Sequence, residues 1–106
     1  MTPPAPPCLD DLDGPDRLLC AFRAQGKDIY GMVSTQDVKA IAGALGYHPR
    51  TGEKWMRTLR EQDLLQSLVR AEHAIKPEAE ERLESLPAEA VEEAREALKL
   101  HNLLND

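Results

Sequence analysis

The sequence predicts a mainly α-helical fold with one small β-hairpin. Apolar residues recur at helical spacing in successive segments between residues 15 and 104. Two short β-prone segments, 67–70 and 73–75, are separated by only two residues, which indicates a hairpin with a very short tip. At 106 residues the chain is long enough for one hydrophobic core and too short for two.

The first predicted helix begins at Pro15 and ends near Gly26. Proline suits a first helical turn, because its φ is already helical and its missing N–H has no partner there. The following segment, 29–33, is compatible with a small edge strand or an extended connector. Three large apolar residues share the helix face that we expect to enter the core: Leu18, Leu19 and Phe22.

Residues 34–65 predict two amphipathic helices joined by a tight turn. Ser34 can cap the first helix, with Asp37 three positions later as the acid of a capping box. Gly46 suits the left-handed residue that ends this helix, and Pro49 suits the start of the next one. The buried face of the first helix has the i, i+3, i+4, i+7 spacing through Val38, Ile41, Ala42 and Leu45.

The second of these helices, about residues 49–62, has an apolar face and a basic face. Gly52 costs about 1 kcal/mol relative to alanine in a helix interior, but its small size would let the two helices approach closely. We expect Trp55 to belong to the core rather than to a base-stacking surface. The apolar face carries Gly52, Trp55, Met56 and Leu59, and the opposite face carries Arg50, Lys54, Arg57 and Glu61.

Residues 77–104 predict two further helices, the first beginning at Pro77 and the second following Pro87. The apolar face of the last helix allows two alternatives: it packs against a second copy of the chain, or it folds back on its own domain. We expect dimerisation. The residues of this face are Val91, Ala94, Leu98 and Leu104.

The N-terminal residues 1–14 are rich in proline and aspartate, which disfavour regular structure. We therefore expect a flexible arm, from which Leu9 and Leu12 can dock on the body. The predicted organisation is an arm at 1–14, a folded domain at 15–86 and a C-terminal helix at 87–106, which is the possible dimerisation element.

Composition limits the classes of function. No apolar run reaches the roughly 18 to 20 residues of a membrane span, so we expect a cytoplasmic protein with no membrane partner. Cys8 and Cys20 form no CxxC pair, and no metal-ligand spacing is present, so we expect no metal and no cofactor. The net charge of the chain is −6, divided into −2 over residues 1–49, +2 over 50–70 and −6 over 71–106.

The order helix, connector, helix, turn, helix, hairpin, helix resembles a winged helix-turn-helix domain of bacterial and archaeal transcriptional regulators. The resemblance covers about residues 15–86 and is specific to this superfamily. Asp63 stands where the turn after the recognition helix usually has a glycine, and the hairpin is short for a wing. The segments that carry the resemblance are 34–46, 49–54, 59–65, 69–70 and 73–79.

The resemblance implies a sequence-specific double-stranded DNA-binding protein, a small transcriptional regulator that acts as a homodimer. Its recognition helix, about 49–62, would lie in the major groove. Arg60 and Arg70 would contact phosphates, which position the protein, and His73, on the short wing, is a further implied DNA contact. The implied leading contacts on the recognition helix are Arg50, Thr51, Lys54 and Arg57.

The same sequence bears on three other classes of function: protein binding, catalysis and effector sensing. A winged helix that binds protein instead of DNA is the main alternative, because the chain is acidic overall. We predict no enzyme, since the three histidines lie on different elements and no nucleophile or Gly-rich loop is present. His48 is interpreted as a helix cap or phosphate contact. An effector would have to bind at a dimer interface or modify Cys8 or Cys20, and we expect Cys20 to be buried and inert.

Overall fold

The computed structural model describes residues 8–104, which form five helices and three short strands. A 3-10 turn at Leu9–Asp11 precedes the first helix, and another at Pro77–Ala79 precedes the fourth. The predicted mainly helical fold is confirmed, with a three-stranded sheet in place of a lone hairpin. In chain order the elements are α1 (Gly14–Ala24), β1 (Met32–Ser34), α2 (Thr35–Ala44), α3 (Pro49–Glu61), β2 (Leu65–Ser67), β3 (Glu72–Ile75), α4 (Glu80–Glu84) and α5 (Ala88–Leu100).

The starts of α2 and α3 have the predicted capping chemistry. The Ser34 hydroxyl accepts a hydrogen bond from the Asp37 amide at 3.0 Å, and the Asp37 carboxylate accepts one from the Ser34 amide at 3.1 Å. Gly46 has a φ of +93°, the left-handed conformation predicted at the end of α2. At the start of α3, Nδ1 of His48 accepts from the Arg50 amide at 3.1 Å, so His48 is a helix cap.

The sheet is antiparallel, and its strand order is β1-β3-β2. Segment 29–33 therefore contributes to an edge strand, one of the two alternatives predicted for it. Alternate side chains of the sheet are buried: Val33 on β1, Leu65 on β2, and His73 and Ile75 on β3. This alternation sets the register, because a slip of one residue would expose the whole buried set.

The predicted hairpin boundaries are wrong. The first strand is Leu65–Ser67 rather than 67–70, and the second begins at Glu72, so that residues 68–71 form a four-residue connection. The physical reason is the pairing of Leu65 with Ile75, which buries both side chains on the same face. Arg70 consequently lies in the connection with a φ of +54°.

Helix α1 is central to the packing and contacts each of the other four helices. An ion pair also holds α4 against α1, because Nε of Arg82 on α4 donates to the Asp16 carboxylate on α1 at 2.8 Å. The largest fully buried side chains come from all five helices and from strands β1 and β3: Leu18, Leu19, Cys20, Phe22, Val33, Val38, Ile41, Leu59, Ile75, Leu83 and Leu98.

The predicted N-terminal arm covers residues 1–14, of which 1–7 lie outside the described residues. Residues 8–14 are not a free arm. Leu9 is buried in the core cluster and its amide donates to the Glu93 carboxylate on α5. The Arg17 guanidinium donates to the carbonyl oxygens of Leu9 at 3.1 Å and Asp10 at 2.9 Å. Leu9 thus docks on the body, which the sequence had left open, and Leu12 packs against the same core.

The apolar face of α5 folds back on its own domain. Val91, Ala94 and Leu98 are buried, and Leu104 is partly buried against the core. The expectation that these residues pack against a second copy is therefore wrong, because α1 and α2 already cover that face. An amphipathic pattern in the sequence identifies a buried face without identifying what buries it.

Candidate functional site

Helix α3 presents a basic surface on the side opposite the core. Arg50, Lys54 and Arg57 are exposed, whereas the other side of the helix is buried through Gly52, Trp55, Met56 and Leu59. Positions 50, 54 and 57 follow the i, i+4, i+7 spacing of one helical face. Three predicted site residues are thus brought together on one solvent-facing surface.

The position of α3 depends on its close approach to α2 at Gly52. A Cβ at this position would lie 2.7 Å from the carbonyl oxygen of Val38 and 2.8 Å from Cβ of Ala42. Both distances are shorter than any ordinary carbon contact, so only glycine fits this crossing without displacement. The predicted role of Gly52 is confirmed.

An aromatic pair fixes the other flank of α3. The rings of Tyr47 and Trp55 meet edge to face, with centroids 5.0 Å apart and planes at 69°. The Arg17 guanidinium of α1 lies 5.1 Å from the Tyr47 centroid and 6.0 Å from that of Trp55. Trp55 is 8% exposed, which confirms its predicted place in the core.

A cleft with a volume of about 380 Å³ lies between α3 and the β2–β3 hairpin. Three arginines line it from two elements: Arg57 and Arg60 on α3, and Arg70 on the connection of the hairpin. Ser67 and Thr35 add hydroxyl groups, and two carboxylate residues, Glu53 and Glu72, also belong to the lining.

A chain of polar contacts joins the two walls of this cleft. Nη1 of Arg60 donates to the Ser67 hydroxyl at 3.0 Å. The Ser67 oxygen lies 3.5 Å from Nδ1 of His73, and Nε2 of His73 lies 3.2 Å from the Thr35 hydroxyl. The chain therefore connects α3, β2, β3 and the start of α2, and we call it the Arg60–Thr35 chain.

The structure corrects the prediction that His73 contacts DNA. Its side chain is only 4% exposed and forms the middle of the Arg60–Thr35 chain, so its ring does not reach a partner outside the cleft. Burial lowers the pKa of His73, and the positive charge of Arg60 lowers it further, while Glu72 acts in the opposite direction. Burial and the charge of Arg60 thus both favour the neutral form of the His73 ring.

The basic residues of the site are not neutralised by nearby acids. Glu53, which lies on α3 between them, pairs with Lys39 of α2 at 3.0 Å. Within residues 8–104, no carboxylate oxygen lies within 4.0 Å of a charged nitrogen of the site's five basic residues: Arg50, Lys54, Arg57, Arg60 and Arg70. Their charge is available to an anionic partner.

The remaining predicted contact, Thr51, lies on the opposite flank of α3 from the three-arginine cleft. It lines a second cleft together with Lys54 and the start of α1, and it is half-buried. Sequence reasoning missed Ser67 and Thr35 as site residues. Neither position carries a sequence signal, because their roles depend on the pairing of strands that are distant in the chain.

Cys20 lies apart from the three-arginine cleft. Cys20 is buried as predicted, and burial raises its pKa to about 12, which leaves the thiol protonated. Among residues 8–104, no group of three or more His, Cys, Asp or Glu side chains is placed to hold a metal ion. Over the same residues, no helix combines the length and apolarity that crossing a bilayer requires.

No protein-family model matches this chain, and neither a curated protein nor a solved structure is significantly similar to it.

Proposed function

We propose that this chain is a sequence-specific double-stranded DNA-binding protein of the winged helix-turn-helix type, with α3 as its recognition helix. The observation that carries the proposal is the exposed face of α3. Three cations, Arg50, Lys54 and Arg57, lie along one side of a helix whose other side is anchored in the core. The order of the elements, in which the β2–β3 hairpin follows α3, supports the proposal.

The proposed mechanism is insertion of α3 into the major groove. With a rise of 1.5 Å per residue, positions 50 to 57 span roughly 10 Å, the length of about three base pairs. Arginine can donate two hydrogen bonds to O6 and N7 of guanine, so Arg50 and Arg57 are suited to direct readout. Arg60 and Arg70, on the hairpin side of α3, are suited to phosphate contacts.

The proposed role is that of a small transcriptional regulator. In the bacterial and archaeal regulators that the chain resembles, the DNA lies in the cytoplasm, and the proposal places the protein there. The net charge of −6 makes non-specific adhesion to DNA unfavourable away from α3. A small basic surface on an acidic protein favours binding in one orientation.

The homodimer stays a prediction from the sequence. Because Val91 and Leu98 are core residues, a chain that ends before α5 would lose stability and cannot serve as a test. Sedimentation velocity of the full chain tests the dimer directly. Leu100→Glu changes an apolar side chain of α5 that is 81% exposed, and a dimer that uses the outer face of this helix would dissociate in that variant.

Selection from random duplex DNA, followed by sequencing, tests the proposed function. We expect a motif to be enriched by the full chain and lost in the triple alanine variant of Arg50, Lys54 and Arg57. The matched control is the triple alanine variant of three exposed basic residues on α1 and α5, which changes the net charge equally: Arg23, Arg95 and Lys99. Equal enrichment by both variants would contradict the proposal.

A second candidate function, binding of a protein partner instead of DNA, is favoured by a separate observation. Four apolar side chains are exposed on or beside the sheet: Tyr30 by 69%, Met32 by 49%, Leu68 by 40% and Val69 by 81%. Exposed apolar side chains are the groups that a protein-binding surface would use. An absence of any enriched motif at low salt, with the chain still folded, would favour this function over DNA binding.

A further inference from the structure

We propose that the cleft between α3 and the β2–β3 hairpin is a phosphate-binding site formed by Arg57, Arg60 and Arg70. Its ligand is a phosphate group, carried either by the DNA backbone or by a small phosphorylated molecule. The DNA source rests on the function proposed above, whereas a free phosphate ligand does not.

The first argument is that three arginine residues line the same cleft. The cleft measures about 380 Å³, and its arginines approach from both the helix and the hairpin. Guanidinium is planar and matches two oxygens of a phosphate at once, so three of them suit a multiply charged tetrahedral anion better than a single carboxylate.

The second argument is the absence of internal neutralisation. The chain has 19 acidic residues, yet within residues 8–104 none of these three arginines has a carboxylate oxygen within 4.0 Å. Like charges that share a cleft repel one another, and a bound dianion would convert this repulsion into attraction. Of the two acids in the lining, Glu53 is already paired with Lys39 at 3.0 Å, and Glu72 is exposed.

The third argument is preorganisation. Arg60 is half-buried and held by the Ser67 hydroxyl, which in turn contacts the buried His73 ring. A long side chain that is already fixed loses less conformational entropy when it binds an anion. Arg70 lies beyond β2 on the same hairpin, so an anion bound to both residues would also join the hairpin to α3.

The source of the phosphate decides what the site does. If it is the DNA backbone, the cleft positions α3 in the groove without reading sequence. If it is a small phosphorylated molecule, that molecule competes with DNA, because Arg57 belongs both to the cleft and to the exposed face of α3. The cleft would then be an effector site inside the DNA-binding domain itself.

The test is a titration of the full chain with inorganic phosphate and with pyrophosphate at constant ionic strength, followed by NMR of the arginine Nε–Hε groups. We expect saturable shifts at the cleft arginines. Arg57→Gln and Arg70→Asn should each weaken pyrophosphate binding by about tenfold, since each removes a charge-assisted contact. Asparagine is chosen at position 70 because it tolerates the φ of +54° there. The control, Arg23→Gln, removes an exposed charge on α1 and should not change the affinity.

The DNA arm uses the selected duplex with single phosphates replaced by neutral methylphosphonates. If pyrophosphate binds and displaces the duplex, the site is supported, and a small phosphorylated molecule is one source of the phosphate. A second outcome is that pyrophosphate does not bind, while one methylphosphonate weakens DNA binding by the full chain and does not change DNA binding by Arg70→Asn. This outcome supports the site with DNA as the source of the phosphate. The site is overturned if neither occurs, even where DNA binding through Arg50 persists. Pyrophosphate binding without any DNA binding would keep the site and overturn the proposed function.

Discussion

The substitution Gly52→Ala should destabilise the protein, although alanine is the better helix former. In a helix interior without contacts, this change would add about 1 kcal/mol of stability. Here the new methyl group would lie 2.7 Å from the Val38 carbonyl oxygen and 2.8 Å from Cβ of Ala42. Ordinary contact begins near 3.4 Å, so α2 and α3 would have to move apart locally by about 0.7 Å.

The size of the effect follows from which atoms must move. Overpacking a core costs typically about 1–3 kcal/mol, and the upper half of that range applies because the obstacles are backbone and Cβ atoms. After the gain in helix propensity, we expect a net loss of about 1–2 kcal/mol. For a domain of this size, each kcal/mol lowers the melting temperature by about 4–8 °C.

The matched control is Gly43→Ala, on α2. A Cβ at position 43 would have no heavy atom within 4 Å, so only the helix-propensity gain of about 0.5–1 kcal/mol should remain. Urea denaturation of both variants measures the two effects, which we expect to have opposite signs. A Gly52→Ala protein at least as stable as the original chain would refute the close crossing of α2 and α3.

Three further predictions concern the capping, the pH dependence and the core. Ser34→Ala removes a cap whose oxygen accepts from the Asp37 amide, and it should cost about 1 kcal/mol in urea denaturation. The pKa of His73 in the folded chain is below its ordinary value of 6.5, so the unfolded chain takes up this proton at a higher pH than the folded chain. Stability should therefore fall as the pH drops from about 6.5 toward the folded-state pKa. Thermal melts at several pH values should show that His73→Gln lacks this part of the pH dependence. Leu98→Ala should lower the free energy of unfolding by about 2–5 kcal/mol, measured by thermal or urea denaturation, and should not change the sedimentation of the folded chain. If this variant instead dissociated a dimer, the apolar face of α5 would pack against a second copy, as the sequence predicted.

The local features of the fold could be predicted from the sequence. Ser34 with Asp37, Gly46 and Pro49 each act within one turn of the chain, so the residue types alone indicate where α2 and α3 begin and end. The burial of Trp55 was also predictable, because the helical spacing places it with the other apolar residues of α3. Signals of this kind need no knowledge of distant contacts.

The boundaries of the hairpin could not be predicted in the same way. Leu68 and Val69 look suitable for a strand, but the pairing of Leu65 with Ile75 places them in the connection, where they are exposed. The register depends on which residues the helices bury, and that is a property of the assembled core. The same limit explains why His73 could not be identified as a buried residue.

The sequence by itself determined the amphipathic helices, their caps and the basic face of α3, because these depend on residue type and spacing within a few turns. Only the tertiary structure decided what covers α5 and which residues line the three-arginine cleft. Thr35 and His73 are 38 positions apart, and the pairing of β1 with β3 brings them into contact. Contacts of this range arise when elements pack together, so neither periodicity nor composition contains them.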